Sequence, residues 1–129
     1  MNKPKILIVD DDPDLTRALI LRFRGSHYDT ACARDGFSVL ALAQKERPDV
    51  IILDIGLPSG DGFLVLDRLR RNTLLSSIPV IVLTARDPLS TRDQVLKAGA
   101  SAFLQKPADN ADLMFAVQTL LRRPWSLNN

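Results

Sequence analysis

Asp10, Asp11, Asp54, Thr84 and Lys106 each stand where an apolar run of the sequence ends. Ile6-Leu7-Ile8-Val9 leads into Asp10-Asp11-Asp12, Val50-Ile51-Ile52-Leu53 into Asp54, Pro79 to Leu83 into Thr84-Ala85, and Ala102 to Gln105 into Lys106-Pro107. Taken singly, each has a plain structural role: an Asp after a strand opens turns, and Asp12 ahead of Pro13 suits a helix N-cap. Gathered in one place, the carboxylates would raise one another's pKa and strain the fold, and a divalent cation relieves that. Oxygen donors without histidine fit magnesium, which keeps several waters and shares itself with phosphate. A hydroxyl at Thr84 and a point positive charge at Lys106 are the donors that hold phosphoryl oxygens, so the set points to phosphoryl transfer.

The surrounding elements determine whether these residues meet. Continuous apolar runs of four or five residues bounded by turn signals read as strands buried on both faces, which predicts strands at Lys5–Val9, Val50–Leu53, Pro79–Leu83 and Ala102–Gln105. Tyr28–Ala33 is more polar and reads as a strand near an edge. Helical spacing follows through Leu15, Ala18, Leu19, Arg22 and Phe23 until Gly25, then from Phe37 to Lys45 behind Asp35-Gly36. A third helix opens at Asp61-Gly62 and passes through Phe63, Leu66 and Leu69. A fourth starts at Asp87-Pro88 with Gly99 as its left-handed cap. A last one, capped by Asp109 or Asn110, carries Leu113, Val117, Leu120 and Leu121 until Pro124. Strands and helices alternating about every 25 residues predict an α/β fold with a parallel sheet. Right-handed crossovers bring every carboxyl end to one edge, so the five positions converge.

Composition excludes much else. The chain has 129 residues, 46% of them apolar and 25% charged, which predicts one globular domain. No apolar run approaches the roughly 18 residues that span a bilayer. The start, Met1 to Lys5, shows no signal-peptide pattern, and a cytoplasmic location is expected. Seventeen Lys and Arg against fifteen Asp and Glu form neither a basic block nor an aromatic-interleaved stripe, so direct nucleic-acid binding is not expected. A lone histidine, His27, reads as an exposed turn residue and removes multi-histidine metal sites. Cys32, the one cysteine, builds no disulfide framework and reads as a small buried hydrophobe.

Across nearly its whole length the chain resembles the receiver domain of two-component response regulators. The matching pieces are Ile8-Val9-Asp10-Asp11, Leu53-Asp54-Ile55-Gly56-Leu57-Pro58, Asp61-Gly62, Leu83-Thr84-Ala85 and Phe103-Leu104-Gln105-Lys106-Pro107. The resemblance implies a doubly wound, flavodoxin-like sheet of five parallel strands in the order 2-1-3-4-5 with five helices. Residues 1–123 would form the receiver, and residues 124–129 a tail or the start of a linker to an effector domain. Asp54 would accept a phosphoryl group from a phosphohistidine of a sensor histidine kinase or histidine phosphotransfer protein. Mg2+ would be held by Asp11, by Asp10 largely through water, by Asp54 and by the backbone carbonyl of Gly56. Lys106 and Thr84 would bind the phosphoryl group, Phe103 would be the switch aromatic, and Ala85 and Arg86 would modulate the site. The face made of the fourth helix, fifth strand and last helix would carry the change and could form a homodimer. The domain would catalyse only its own phosphorylation and dephosphorylation.

The sequence departs from that family at Phe103, which has no hydroxyl, at Gly56, which leaves water less obstructed beside Asp54, and at Arg86, which brings a cation near the phosphoryl site. Three other readings compete. Asp10, Asp12 and Thr16 faintly resemble magnesium-dependent phosphohydrolases with a first-strand Asp nucleophile. A pseudo-receiver would bind partners without phosphorylation. Asp10-x-Asp12-x-Asp14 begins like a calcium loop, but Leu15 stands where the turn glycine belongs and Leu21 where the bidentate Glu belongs. Trp125, on the tail, reads as a local packing residue.

Overall fold

Alternate residues of the central strands point to opposite faces of the sheet, and both faces are apolar, so the sheet must be covered on both sides. In the computed structural model, which describes residues 3–57 and 62–128 with side chains through Arg122, five parallel strands do this in the order β2-β1-β3-β4-β5. They are β1 (Lys5–Val9), β2 (Asp29–Ala33), β3 (Val50–Leu53), β4 (Val80–Thr84) and β5 (Ala102–Gln105). The helices between and after them are α1 (Pro13–Gly25), α2 (Val39–Glu46), α3 (Gly62–Arg71), α4 (Pro88–Lys97) and α5 (Asn110–Asn128). Ile6, Ile8, Val50, Ile52, Ile81 and Leu83 meet Leu19 and Phe23 of α1 and Leu113, Val117 and Leu120 of α5. Leu7, Val9, Ile51, Leu53, Val80 and Val82 meet Val39, Val65, Leu66, Leu69 and Val95 of α2, α3 and α4. The order reverses between β1 and β3, and that crevice is where open α/β sheets bind ligands.

Capping follows the side chains. Asp12 accepts from the backbone N–H of Asp14 and Leu15, Asp87 from Leu89, and Asp109 from Ala111, so Asp109, and not Asn110, caps α5. Two helices end in the same double-bonded motif. In α4, Gly99 (φ +107°) donates to Leu96 O and Ala100 to Val95 O. In α1 the left-handed position is His27 (φ +69°), which donates to Arg24 O, while Tyr28 donates to Phe23 O and sets its ring edge-on to Phe23 at 5.9 Å. The sequence placed that stop at Gly25, which is instead the last helical residue. The ring contact between Phe23 and Tyr28 determines where the chain turns, and His27 occupies the turn as an exposed residue.

Other expectations are corrected. Cys32 is exposed, because β2 is an edge strand with no strand beyond it among the described residues. Ala18 and Arg22 face solvent, and the buried stripe of α1 runs through Thr16, Leu19 and Phe23. Phe37 precedes α2 and is 80% exposed, since Asp35 accepts from Ser38 N–H and delays the helix to Val39. The backbone of α5 continues past Pro124 to Asn128; a proline removes one intrahelical bond and kinks a helix without necessarily ending it. Pro58 and Asp61, and the side chain of Trp125, lie outside the described residues.

Candidate functional site

Asp10 and Asp54 are the first residues past β1 and β3, yet their backbones remain on the sheet: Asp10 N–H donates to Ala33 O at 3.1 Å and Asp54 N–H to Val9 O at 2.9 Å. Two adjacent parallel strands therefore aim two carboxylates at the same spot. Asp10 is 4% and Asp54 8% exposed. From β5, whose end is fastened by Lys106 N–H donating to Thr84 O at 2.8 Å, the Lys106 ammonium reaches both. Its Nζ donates to Asp10 Oδ2 at 2.6 Å and to Asp54 Oδ2 at 3.1 Å. The remaining oxygens accept backbone N–H groups, Asp10 Oδ1 from Asp12 and Asp54 Oδ1 from Gly56, each at 2.9 Å. Burial alone pushes the Lys106 ammonium down, but its hydrogen bonds to Asp10 and Asp54 and their charges outweigh this and hold its pKa above that of an ordinary lysine.

Three consecutive acids take three different roles. Asp10 is buried against Lys106, and Asp12 caps α1. Asp11 is exposed, with a carboxylate oxygen within 4.8 Å of oxygens from Asp10 and Asp54. These three carboxylates exceed the one ammonium that meets them among the described residues, and they could hold a metal ion through hard oxygens. A calcium loop through Asp12 and Asp14 is not formed, because Asp12 is committed to the cap and the metal-capable acids among the described residues are Asp10, Asp11 and Asp54.

Thr84, 1% exposed at the end of β4, directs its hydroxyl to the same region. A Cβ placed on Gly56 would lie 3.5 Å from Asp54 Oδ1 and 4.0 Å from Thr84 Oγ1, so the missing side chain leaves open the space that those two oxygens border. Ala85 and Lys106 share a groove of about 420 Å³ with Asp12, Leu15, Leu83, Pro107 and Ala108. Arg86 bonds Thr84 Oγ1 through its N–H at 3.4 Å, and its guanidinium lies over the Phe63 ring, 6.0 Å from the centroid. Phe103 is half-buried against the core under α2, α3 and α4, in register with Val82.

Gly62, expected from the sequence to open a helix and to match the receiver family, has a further role: a Cβ there would collide with the Ile55 backbone. Helix α3 begins in contact with the segment that follows Asp54, with Gly62 N–H donating to Ile55 O at 3.2 Å. The glycine after Asp61 was the available signal.

The family model of the response regulator receiver domain matches residues 6–118. The transcriptional regulator RpaA of Synechocystis is 41% identical over 120 residues, covering 93% of this chain and 50% of that protein. PrrA of Mycobacterium tuberculosis is 41% identical over 126 residues, 98% of this chain and 53% of that one. The chain thus spans about half the length of these relatives. Among solved structures, the chemotaxis response regulator CheY4 of Vibrio cholerae superposes with a TM-score of 0.83 at 29% identity, covering 92% of this chain and 99% of that one. The beryllofluoride-activated receiver domain of RstA from Klebsiella pneumoniae does so at 0.81 and 28%, covering 92% and 99%. Flavodoxin-like order, the acidic crevice between β1 and β3, and these likenesses agree, and the chain belongs to the response regulator receiver domain family.

Proposed function

We propose that the domain is a phosphorylation switch of a two-component pathway, with Asp54 as acceptor. The observation that carries this reading is the Lys106 ammonium held between Asp10 and Asp54, with Asp11 in reach. A carboxylate oxygen of Asp54 attacks the phosphorus of a phosphohistidine presented by a sensor histidine kinase or histidine phosphotransfer protein. The P–N bond breaks as the P–O bond forms, and the imidazole leaves with the electron pair. Asp10, Asp11, Asp54 and the Gly56 carbonyl would hold Mg2+, which when bound supplies charge neutralisation on the phosphoryl oxygens. Lys106 and the Thr84 hydroxyl take the oxygens that Asp54 gains, and the backbone bonds of Asp54 hold it in line. Water attack on the acyl phosphate later frees Asp54 and inorganic phosphate, with the approach left open at Gly56 and bordered by Ala85 and Arg86.

The modification replaces one carboxylate charge by an acyl phosphate carrying roughly two negative charges beside Thr84, and Phe103 on β5 is close enough in register to respond. We read the output surface as α4, β5 and α5, where Leu89, Leu96 and Phe115 are exposed, and where a second copy could dock. The domain then acts in the cytoplasm through protein contacts and does not itself contact nucleic acid. Exposure to acetyl phosphate with Mg2+, followed by peptide mapping, tests the acceptor. The phosphoryl group is expected on the peptide holding Asp54, and Asp54→Asn should abolish labelling with the fold intact. Labelling of Asp10, or unchanged labelling of Asp54→Asn, would overturn the assignment.

A further inference from the structure

Helix α4 is held very differently at its two ends. Its first three residues follow Thr84 after Ala85, Arg86 and Asp87 and none of them is buried, Leu89 being 96% exposed; Thr91 is the first residue of the helix to be buried. Its second half buries Val95 completely and closes on the double-bonded cap at Gly99 and Ala100. Beneath that cap lies Arg70 of α3. A Cβ on Gly99 would come within 2.7 Å of both Arg70 Cγ and Cδ, so the glycine serves both its positive φ and the arginine stem. The guanidinium donates to Ser76 O at 2.8 Å and to Ile78 O, in the loop between α3 and β4. It has no carboxylate partner among the described residues, and burial pushes its pKa down. A partly desolvated cation is costly unless its hydrogen bonds compensate, which holds the guanidinium against the two carbonyls, while its buried Nε has no hydrogen-bond partner among the described residues.

We infer that Arg70 is a positioning residue that pins the C-terminal cap of α4 to α3 and to the loop before β4. A change at Asp54 and Thr84 therefore swings the first turns of α4 about Gly99 and does not displace the whole helix. The inference rests on the reading of Asp54 as phosphoacceptor. The test follows backbone amides of the full chain with Mg2+, with and without beryllofluoride, in wild type, Arg70→Met and Arg70→Lys. In wild type, beryllofluoride should shift amides from Thr84 to Asp93 and leave Gly99 and Ala100 in slow exchange. In Arg70→Met, exchange at Gly99 and Ala100 should rise about tenfold, the order expected for lost hydrogen bonds, with Val82 unchanged, and the shifts should extend through Lys97. Arg70→Lys keeps the stem with a single donor group, should fall between, and carries the test if Arg70→Met does not fold. Gly99 and Ala100 exchanging within about twofold of wild type in both variants would overturn the anchor. Beryllofluoride shifts of equal size at both ends of α4 in wild type would overturn the hinge. Failure of the acceptor reading is a separate result: no beryllofluoride shift at Gly56 or Thr84 in wild type, which also removes the transmission.

Discussion

The sheet carries a lysine–carboxylate pairing at each end, and the two are built on opposite charge logic. At the lower end, Lys5 Nζ donates to Glu46 Oε1 at 2.8 Å and Lys5 N–H to Asp49 Oδ2 at 2.7 Å. The groove there is lined by Lys3, Lys5 and Arg47 facing Asp29, Glu46 and Asp49, a balanced set open to water. At the upper end, Lys106 is the one cation among the described residues paired with Asp10 and Asp54, with Asp11 close by, and its partners' side chains are only 5% and 10% exposed. Matched charges in solvent screen one another and contribute little. Unmatched carboxylates in a buried crevice persist only where something else neutralises them, so the imbalance itself distinguishes a site from a surface.

Removing each lysine breaks the comparison most directly. Lys106→Met leaves two buried carboxylates unpaired and should cost about 3 kcal/mol in magnesium-free urea unfolding. Lys5→Met should shift the melting point by only about a degree, as expected of a pair that water still reaches. Equal effects at the two ends would erase the distinction.

Magnesium should act at one end alone. At roughly a hundredfold excess over Kd it should stabilise the wild type by about 2.7 kcal/mol in the same unfolding series. Asp11→Asn should forfeit most of that gain. Asp12→Ala should retain it while losing about 1 kcal/mol for the α1 cap. A full magnesium response in Asp11→Asn would remove that residue from the ligand set.

The smallest effects lie in pH dependence, where each pair is lost as one of its partners loses its charge. The Lys106 pKa is raised in the folded state, so its contribution is complete below the unfolded value of about 10.4 and lost as pH rises through the folded one. The Glu46 pKa is lowered, first by its hydrogen bond from Lys5, so that pair contributes above about pH 4.3 and fades as pH falls through the folded value. The gap between wild type and Lys106→Met should therefore close on the alkaline side. That between wild type and Glu46→Gln should close on the acid side as Glu46 gains a proton, and again at high pH as Lys5, whose pKa its bond to Glu46 raises, loses one.

Strand identity was legible in the residues because both faces of β1, β3 and β4 are buried, leaving apolar runs too continuous for another reading. Caps at Asp12, Asp87 and Gly99 were legible because short side chains and glycine act within one turn of their own backbone. The fate of Cys32 was not, because exposure on β2 depends on the absence of a strand beyond it. His27 in the left-handed position was equally hidden, since the ring contact between Phe23 and Tyr28 decides where α1 turns.

By itself the sequence determined which residue types end each strand and that they would share an edge, because period and polarity are local properties and parallel crossovers have one hand. Only the tertiary structure decided how the acids divide their work, with Asp10 on Lys106, Asp11 in the exposed metal-capable position and Asp12 on α1. It alone set Arg70 beneath Gly99. Those partnerships join residues as many as 96 positions apart, and a carboxylate's or a cation's surroundings are composed by the other chain segments that fold around it.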